Sequence, residues 1–293
     1  MQLGDEDPSG NFIDRTGRSG GFGLGGGGGN MLGCLLPMIA SRFGIVGVLV
    51  LLLGYCALTT LSGGGGGGLL PGTSAPISQP GAANPESTLD AQTRDLMTRV
   101  LGSTERRWSE IFARAGARYE PTVMVAYSNS DQSGCGAAQS AMGPFYCPTD
   151  KRIYIDPAFF NELSRRFGAP GDFAMAYVIA HEVGHHVQDL QGLLDRAHNA
   201  QARMSEAEAN RTQVAIELQA DCYAGVWAAN DRNLMEPGDL EEGLTAARAI
   251  GDDALTQGRV TPDNFTHGTS AQRVAALRKG LETGDPAACT FNS

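Results

Sequence analysis

The stretch FAMAYVIAHEVGH, from Phe173 to His185, decides the fold of the region around it. Its first eight residues are nearly all apolar, and Asp172 just before it is a residue type that caps helix N-termini, so we predict a largely buried helix. His181 and His185 are four positions apart and project from one face of such a helix. Histidines in a buried helix are costly unless their nitrogens have partners. A metal ion would be such a partner.

The segment His181–His185 fits the pattern H-E-x-x-H. Two imidazoles one turn apart can bind one Zn²⁺, and Glu182 can lean towards a third position on the metal. Zinc lowers the pKa of bound water to about 7, and a neighbouring carboxylate then accepts its proton. A solvated helix face is the alternative for so short a pattern, but the apolar context argues against it. We predict a hydrolase with Glu182 as general base.

A catalytic zinc takes three protein ligands and keeps one position open. The run Glu206–Asn230 is rich in Ala, Glu, Gln and Leu and lacks proline, which predicts a second long helix. Within it, Glu217 and Asp221 share a face. We predict that Glu217 is the third ligand and that Asp221 accepts the outer N–H of a liganding imidazole, His181. The alternative is a solvated acidic face.

These residues resemble the bacterial putative neutral zinc metallopeptidase family. The resemblance is carried by AHEVGHHVQ at 180–188, ELQADCYAGVW at 217–227, GCG at 134–136, GPFYCP at 143–148, IYID at 153–156 and HGTSAQR at 267–273. It implies a gluzincin-like site in which His181, His185 and Glu217 hold one Zn²⁺ per chain. We expect an α+β, zincin-like fold that is predominantly helical with a small β-sheet, preceded by one transmembrane helix.

Composition divides the chain into four parts. Of the 40 glycines, 22 precede residue 73, and residues 1–42 are predicted to be a disordered Gly-rich tail. Residues 43–62 carry no charge and are long enough, at about 30 Å as a helix, to cross a bilayer. Residues 63–86 are a Gly/Pro-rich linker. Residues 87–293 remain for one metallopeptidase domain with its own core.

The charges around the apolar segment predict its orientation. Arg42 directly precedes it, and the next basic residue is Arg94. By the positive-inside rule the tail is cytoplasmic and the domain lies outside the inner membrane, on the periplasmic side. A cleaved signal peptide is the alternative, but the segment begins late in the chain and is long for one. After residue 62 there are 28 acidic and 19 basic residues, which argues against nucleic-acid binding.

Six cysteines follow the same division. Cys34 and Cys56 lie in or near the membrane region, which leaves Cys135, Cys147, Cys222 and Cys289 in the domain. Four cysteines can pair in three ways. We predict Cys135–Cys147 and Cys222–Cys289, and disulfides agree with an oxidising compartment. The alternative, that Cys222 binds the metal, is weaker because it points away from the ligand face.

The rest of the domain offers secondary candidates. Residues 87–115 are predicted to be helical with a break near Gly102, and residues 121–127 and 153–155 are predicted strands. By resemblance to zincins, residues 143–156 are the candidate edge for an extended substrate, with a plain structural hairpin as the alternative. His267 precedes a capping sequence, TSAQ, and is a candidate oxyanion donor, with simple packing as the alternative.

We therefore predict a membrane-anchored zinc metallopeptidase, bound to the membrane through residues 43–62 and acting on peptide or protein substrates. Two alternatives stay open. One is a zinc-binding scaffold or regulatory module of the cell envelope with little or no activity. The other is an amidase that acts on cell-wall peptides with the same site. The sequence specifies neither a substrate nor an oligomeric state.

Overall fold

Helices form most of the structure, a computed structural model that describes residues 1–4, 6–18 and 87–291. Their bounds are α1 Ala91–Arg114, α2 Ala158–Arg165, α3 Asp172–Leu190, α4 Leu193–Gln201, α5 Glu206–Asn230, α6 Asp239–Ala249, α7 Asp252–Leu255 and α8 Ser270–Thr283. The predicted helix at 206–230 has the predicted bounds. The α3 helix begins at Asp172 itself, with Gly171 as N-cap in a left-handed conformation (φ 115°).

A small mixed sheet lies beside the helices. Its strands are β1 (Phe12–Asp14), β2 (Val123–Ala126), β6 (Arg152–Ile155) and β5 (Phe145–Cys147), in that order across the sheet. The pairs β1–β2 and β2–β6 are parallel, and β5–β6 is antiparallel. A separate hairpin is formed by β3 (Ser130–Ser133) and β4 (Gly136–Gln139). The predicted α+β class, mostly helical with small sheets, is confirmed.

Glycines allow the central helices to approach closely. A Cβ on Gly225 of α5 would lie 2.2 Å from the Leu277 carbonyl oxygen of α8, and a Cβ on Gly280 would lie 1.9 Å from the Cys222 carbonyl oxygen. Both distances are far below contact, so only glycine fits. At the α3–α5 crossing, a Cβ on Gly184 would lie 2.9 Å from the Ala220 carbonyl oxygen. This last contact brings the two predicted ligand helices together.

Both predicted disulfides are confirmed. Cys135–Cys147 spans 12 residues and braces the segment that leads into β5, while Cys222–Cys289 ties α5 to the C-terminal end. Both sulfurs of the second bridge belong to fully buried residues. Cys222 is therefore not a metal ligand.

Two sequence-based predictions need correction. The α1 helix runs without a break through Gly102, because the glycine stays helical and makes room for the carbonyl of Asp7. Residues 1–42 were predicted to be disordered, yet residues 12–14 form β1 and pair with β2. A three-residue strand among glycines and polar residues has no pattern that marks it in advance.

The predicted transmembrane helix at 43–62 and the linker at 63–86 lie outside the described residues. Among the helices in the part of the chain that is described, none has both the length and the apolar character needed to cross a membrane.

Candidate metal centre

The three predicted ligands meet between α3 and α5. Glu217 on α5 faces both histidines of α3, with its Oε2 3.2 Å from His181 Nε2 and its Oε1 3.6 Å from His185 Nε2. One ligand atom from each residue lies within 4.8 Å of the other two. His181 and Glu217 are buried, and the side chain of His185 is 14% exposed. The one-turn spacing of the histidines and the close α3–α5 crossing together produce this arrangement.

These separations fit zinc. Zinc–nitrogen and zinc–oxygen bonds are about 2.0–2.2 Å long, so neighbouring ligand atoms of a tetrahedral site lie about 3.3–3.5 Å apart. The two measured separations of 3.2 and 3.6 Å bracket that value. Two imidazoles and one carboxylate are also the donor set of catalytic zinc sites that keep a fourth position open.

Asp221 lies against the imidazole of His181. Its Oδ1 is 2.8 Å from His181 Nδ1, which leaves Nε2 free for the metal. Asp221 is fully buried, and its charge is balanced by Arg273, whose Nε and Nη2 each donate to it at 2.8 Å. The Tyr177 hydroxyl donates the remaining bond at 2.5 Å. Burial raises the pKa of Asp221, but Arg273 and His181 outweigh burial and lower it to about 2.

Gln188 supports His185 in the same way and was not predicted. Its Oε1 accepts from His185 Nδ1 at 2.9 Å, and its own Nε2 donates to the Ile216 carbonyl at 2.8 Å and to Gln219 Oε1 at 2.9 Å. Gln188 is fully buried. The signals in the sequence are its position, three residues after His185 on the same helix, and its place at the end of the motif AHEVGHHVQ. With Nδ1 bound to this amide, Nε2 is the His185 nitrogen that would face a metal.

Glu182 lies beside the ligands with an unpaired carboxylate oxygen. The residue is 6% exposed, and Oε2 makes no hydrogen bond to any residue of the described chain. Burial raises the pKa of the Glu182 carboxyl, and the neighbouring His181 and His185 oppose that shift. Buried polar atoms are rarely left unpaired in folded proteins. A buried carboxylate oxygen without a hydrogen-bond partner and with a raised pKa is suited to accept a proton from a bound ligand.

A cleft of about 780 Å³ opens over this cluster. One wall is the segment 140–149, which includes β5, the edge strand of the sheet as described. Glu182, Glu217 and His267 also line the cleft. His198 is exposed and also lines this cleft. The predicted substrate edge and the predicted metal ligands therefore share one cavity.

His267 is held in that cavity by Asp252, which sequence reasoning missed. Asp252 Oδ1 is 3.1 Å from His267 Nδ1, and Oδ2 accepts from the backbone N–H groups of Thr266, His267 and Gly268 at 2.7–3.0 Å. The His267 side chain is 48% exposed and faces the cleft. The predicted cap that follows is present, with Thr269 and Gln272 in a reciprocal capping box.

His186 plays a structural part. Its Nε2 donates to the Glu120 carbonyl at 2.6 Å, and its Nδ1 lies 3.0 Å from the Tyr146 hydroxyl of β5. Tyr146 also donates to Asp189 Oδ2 on α3 at 2.8 Å. The imidazole next to the candidate ligand His185 thus ties α3 to the edge strand β5.

The chain is similar to known proteins over most of its length. The model of the family described as "Putative neutral zinc metallopeptidase" matches residues 1–291. The uncharacterized protein YpfJ of Escherichia coli K12 is 43% identical over 287 residues, which cover 96% of this chain and 95% of that protein. The uncharacterized protein Rv2575 of Mycobacterium tuberculosis H37Rv is 43% identical over 192 residues, 60% of this chain and 64% of that protein. No solved structure matches.

Proposed function

Because the chain belongs to the putative neutral zinc metallopeptidase family, we propose that it is a zinc-dependent peptidase with Glu182 as its general base. The observation that carries this proposal is the buried, unpaired Oε2 of Glu182 beside three residues with the separations of zinc ligands. A purely structural zinc site has no use for such a group and closes its fourth position. This feature favours hydrolysis over the scaffold alternative.

His181, His185 and Glu217 would hold the metal, one Zn²⁺ per chain. When bound, zinc polarises the scissile carbonyl and the attacking water. Glu182 accepts a proton from that water and then gives it to the leaving amine. Its burial, which raises the pKa of the carboxyl, makes Glu182 a stronger base for the first transfer than an exposed glutamate would be. Asp221 and Gln188 keep the two imidazoles oriented throughout.

His267 is our candidate for stabilising the oxyanion. Asp252 accepts from Nδ1, so Nε2 is the nitrogen that can point towards a substrate in the cleft. Replacement of His267 with alanine should lower the turnover number and leave the zinc content unchanged. A loss of zinc in that variant would contradict the assignment.

The substrate is proposed to be an extended peptide. The edge strand β5 has one side without a partner strand among the described residues, and an extended peptide can add to such an edge by backbone hydrogen bonds. Two of the four exposed large apolar side chains in the described structure, Met142 (62%) and Leu255 (40%), lie at this cleft. Exposed apolar groups at a cavity rim favour apolar side chains in the substrate near the cleavage point.

We further propose that the domain works in an oxidising compartment outside the cytoplasm. Both disulfides support this, since such bonds persist where thiols are not kept reduced. The amidase alternative uses the same chemistry, and only the identity of the substrate separates it from a protease.

The proposal is tested with the metal-free protein and a mixed peptide library. We expect cleavage after one equivalent of zinc is added, and its loss when a chelator removes the metal. The variant Glu217→Gln should bind zinc much more weakly and cleave nothing. Gln213→Ala is the control, because it removes the hydrogen bond that Gln213 donates to Glu217 and keeps the Glu217 carboxylate. Zinc-loaded protein that cleaves neither peptides nor cell-wall peptides would contradict the proposal.

A further inference from the structure

The N-terminal segment, residues 6–18, is built into the sheet of the domain. In β1, Phe12 pairs with Met124 and Asp14 with Ala126 of β2. The pairing extends beyond the strand, because the Met124 N–H donates to the Asn11 carbonyl at 2.9 Å and the Arg15 N–H donates to the Ala126 carbonyl at 2.8 Å. A strand that contributes a ladder of backbone bonds is part of the fold.

Side chains hold the same segment on α1. Ser9 Oγ and Asn11 Nδ2 both donate to Glu105 Oε1, at 2.7 and 2.9 Å. The Ser9 N–H donates to the Thr98 carbonyl at 2.9 Å. On the other side, Arg15 forms an ion pair with Asp131 at 2.9 Å. These contacts join residues about ninety or more positions apart in the chain.

Gly102 shows how close the approach is. A Cβ on Gly102 would lie 2.3 Å from the Asp7 carbonyl oxygen and 3.2 Å from the Ser9 nitrogen. Any other residue at this point of α1 would push the N-terminal segment away. A glycine inside a helix destabilises the helix relative to alanine. At position 102 the glycine instead makes room for the backbone of the N-terminal segment.

The two ends of the intervening stretch meet at one point. Thr16 Oγ1 accepts from the Thr88 N–H at 3.1 Å, and the Thr88 hydroxyl donates to the Thr16 carbonyl at 3.1 Å. Asp14 accepts from the Ser87 hydroxyl at 2.5 Å and pairs with Arg94. Residues 14–16 and 87–88, on either side of the stretch that the structure does not describe, therefore belong to one hydrogen-bonded cluster.

This contact bears on the orientation predicted from the basic residues. A single crossing at 43–62 would place residues 16 and 88 on opposite sides of about 30 Å of hydrocarbon. The structure places their polar atoms 3.1 Å apart. A chain that crosses a bilayer an odd number of times cannot bring its two flanks together on one side.

We infer that residues 1–18 lie in the same compartment as residues 87–291, so that the apolar segment 43–62 does not pass once through a membrane between them. Residues 19–86 therefore connect two parts of one domain that lie on the same side of any membrane. This inference replaces the cytoplasmic N-terminus predicted from Arg42. It does not depend on peptidase activity.

Cysteine labelling of the full chain in bacterial cells tests the inference. In a Cys34→Ser/Cys56→Ser background the remaining four cysteines are paired and do not react. Gly10→Cys is suitable for the N-terminal segment because nothing lies within 4 Å of a Cβ there, and Glu282→Cys marks the exposed end of α8. A membrane-impermeant maleimide is applied to intact and to lysed cells, with the background protein as the unlabelled control.

We expect the ratio of labelling in intact to lysed cells to agree within about twofold for the two positions. Labelling of one position in intact cells and of the other only after lysis would overturn the inference. Peptidase activity has no influence on either result, so a failure here is distinct from a failure of the proposed function.

Gly102→Ala gives a second readout on the purified full-length protein. If the segment is docked, the new methyl group collides with the Asp7 carbonyl and the melting temperature falls. If the segment is elsewhere, alanine simply favours the helix and the melting temperature rises. A rise would overturn the inference.

Discussion

Gly184 lies inside the H-E-x-x-H pattern, and we predict that Gly184→Ala weakens zinc binding. A Cβ at this position would lie 2.9 Å from the carbonyl oxygen and 3.0 Å from the Cα of Ala220 on α5. Both partners are backbone atoms, which cannot rotate away. Ala220 is three residues from Glu217, and Gly184 is next to His185. The substitution therefore acts on the separation of the ligand helices themselves.

The size of the effect follows from these distances. To restore ordinary contact, α3 and α5 must separate by roughly 0.5 Å, while metal–ligand distances tolerate only about ±0.2 Å. We expect the zinc dissociation constant to rise about 10–100-fold, as for changes in groups that orient ligands, which corresponds to about 1.4–2.8 kcal/mol. Alanine favours the helix by about 1 kcal/mol over glycine, so the metal-free protein should lose little stability.

The assay is competition for zinc with a chromophoric chelator, together with thermal unfolding of the metal-free protein. Gly225→Ala is the matched control, because it makes the same change where α5 meets α8, eight residues beyond Glu217. It should lower the melting temperature and alter zinc affinity less than Gly184→Ala does. If Gly184→Ala bound zinc as tightly as the native protein, the α3–α5 contact would not set the ligand geometry.

Three further outcomes are expected. Gln188→Ala should weaken zinc binding about 10–100-fold in the same competition assay, because His185 loses the acceptor that orients it; unchanged affinity would remove Gln188 from the site. Burial lowers the pKa of His181, but Asp221 and Glu217 outweigh burial and raise this pKa to about 10 in the metal-free protein. Zinc must therefore displace a proton from His181 below that pH, and the apparent zinc affinity should increase as the pH rises towards that value. Titration calorimetry in buffers of different ionisation enthalpy would count that proton, and binding without proton release would contradict the assignment. Arg273→Met should lower the unfolding free energy by about 3–5 kcal/mol in denaturant titrations, because the buried charge of Asp221 loses its partner; a loss below 1 kcal/mol would show that Asp221 does not need it.

Much of the metal centre could be predicted because its chemistry follows helical spacing. His181 and His185 share a face by the period of the helix, and the α5 run places Glu217 and Asp221 one turn apart in the same way. The disulfide pairs followed from elimination of the two cysteines in or near the predicted membrane segment and from the loop each pair would close. In each case the prediction uses only residue type and spacing along the chain, for histidine, carboxylate and cysteine side chains.

The features that the sequence did not predict depend on contacts between residues that are far apart in the chain. Gln188 and Asp252 orient catalytic candidates through ordinary amide and carboxylate groups, for which no spacing pattern exists. The strand β1 is three residues long and acquires its partner β2 from more than a hundred residues away. Gly102 suggested a helix break, since local propensity alone cannot reveal that the Asp7 carbonyl occupies the space beside it.

In the proposed zinc peptidase site formed by His181, His185 and Glu217, Glu182 is the proton acceptor. The most direct measurement compares Glu182→Gln with the native protein for zinc content by atomic absorption and for peptide cleavage under identical conditions. The variant keeps the shape of the side chain and leaves the three proposed ligands unchanged, so we expect one zinc per chain in both proteins and a fall in turnover of at least about 100-fold in the variant. Equal cleavage by the two zinc-loaded proteins would contradict the claim.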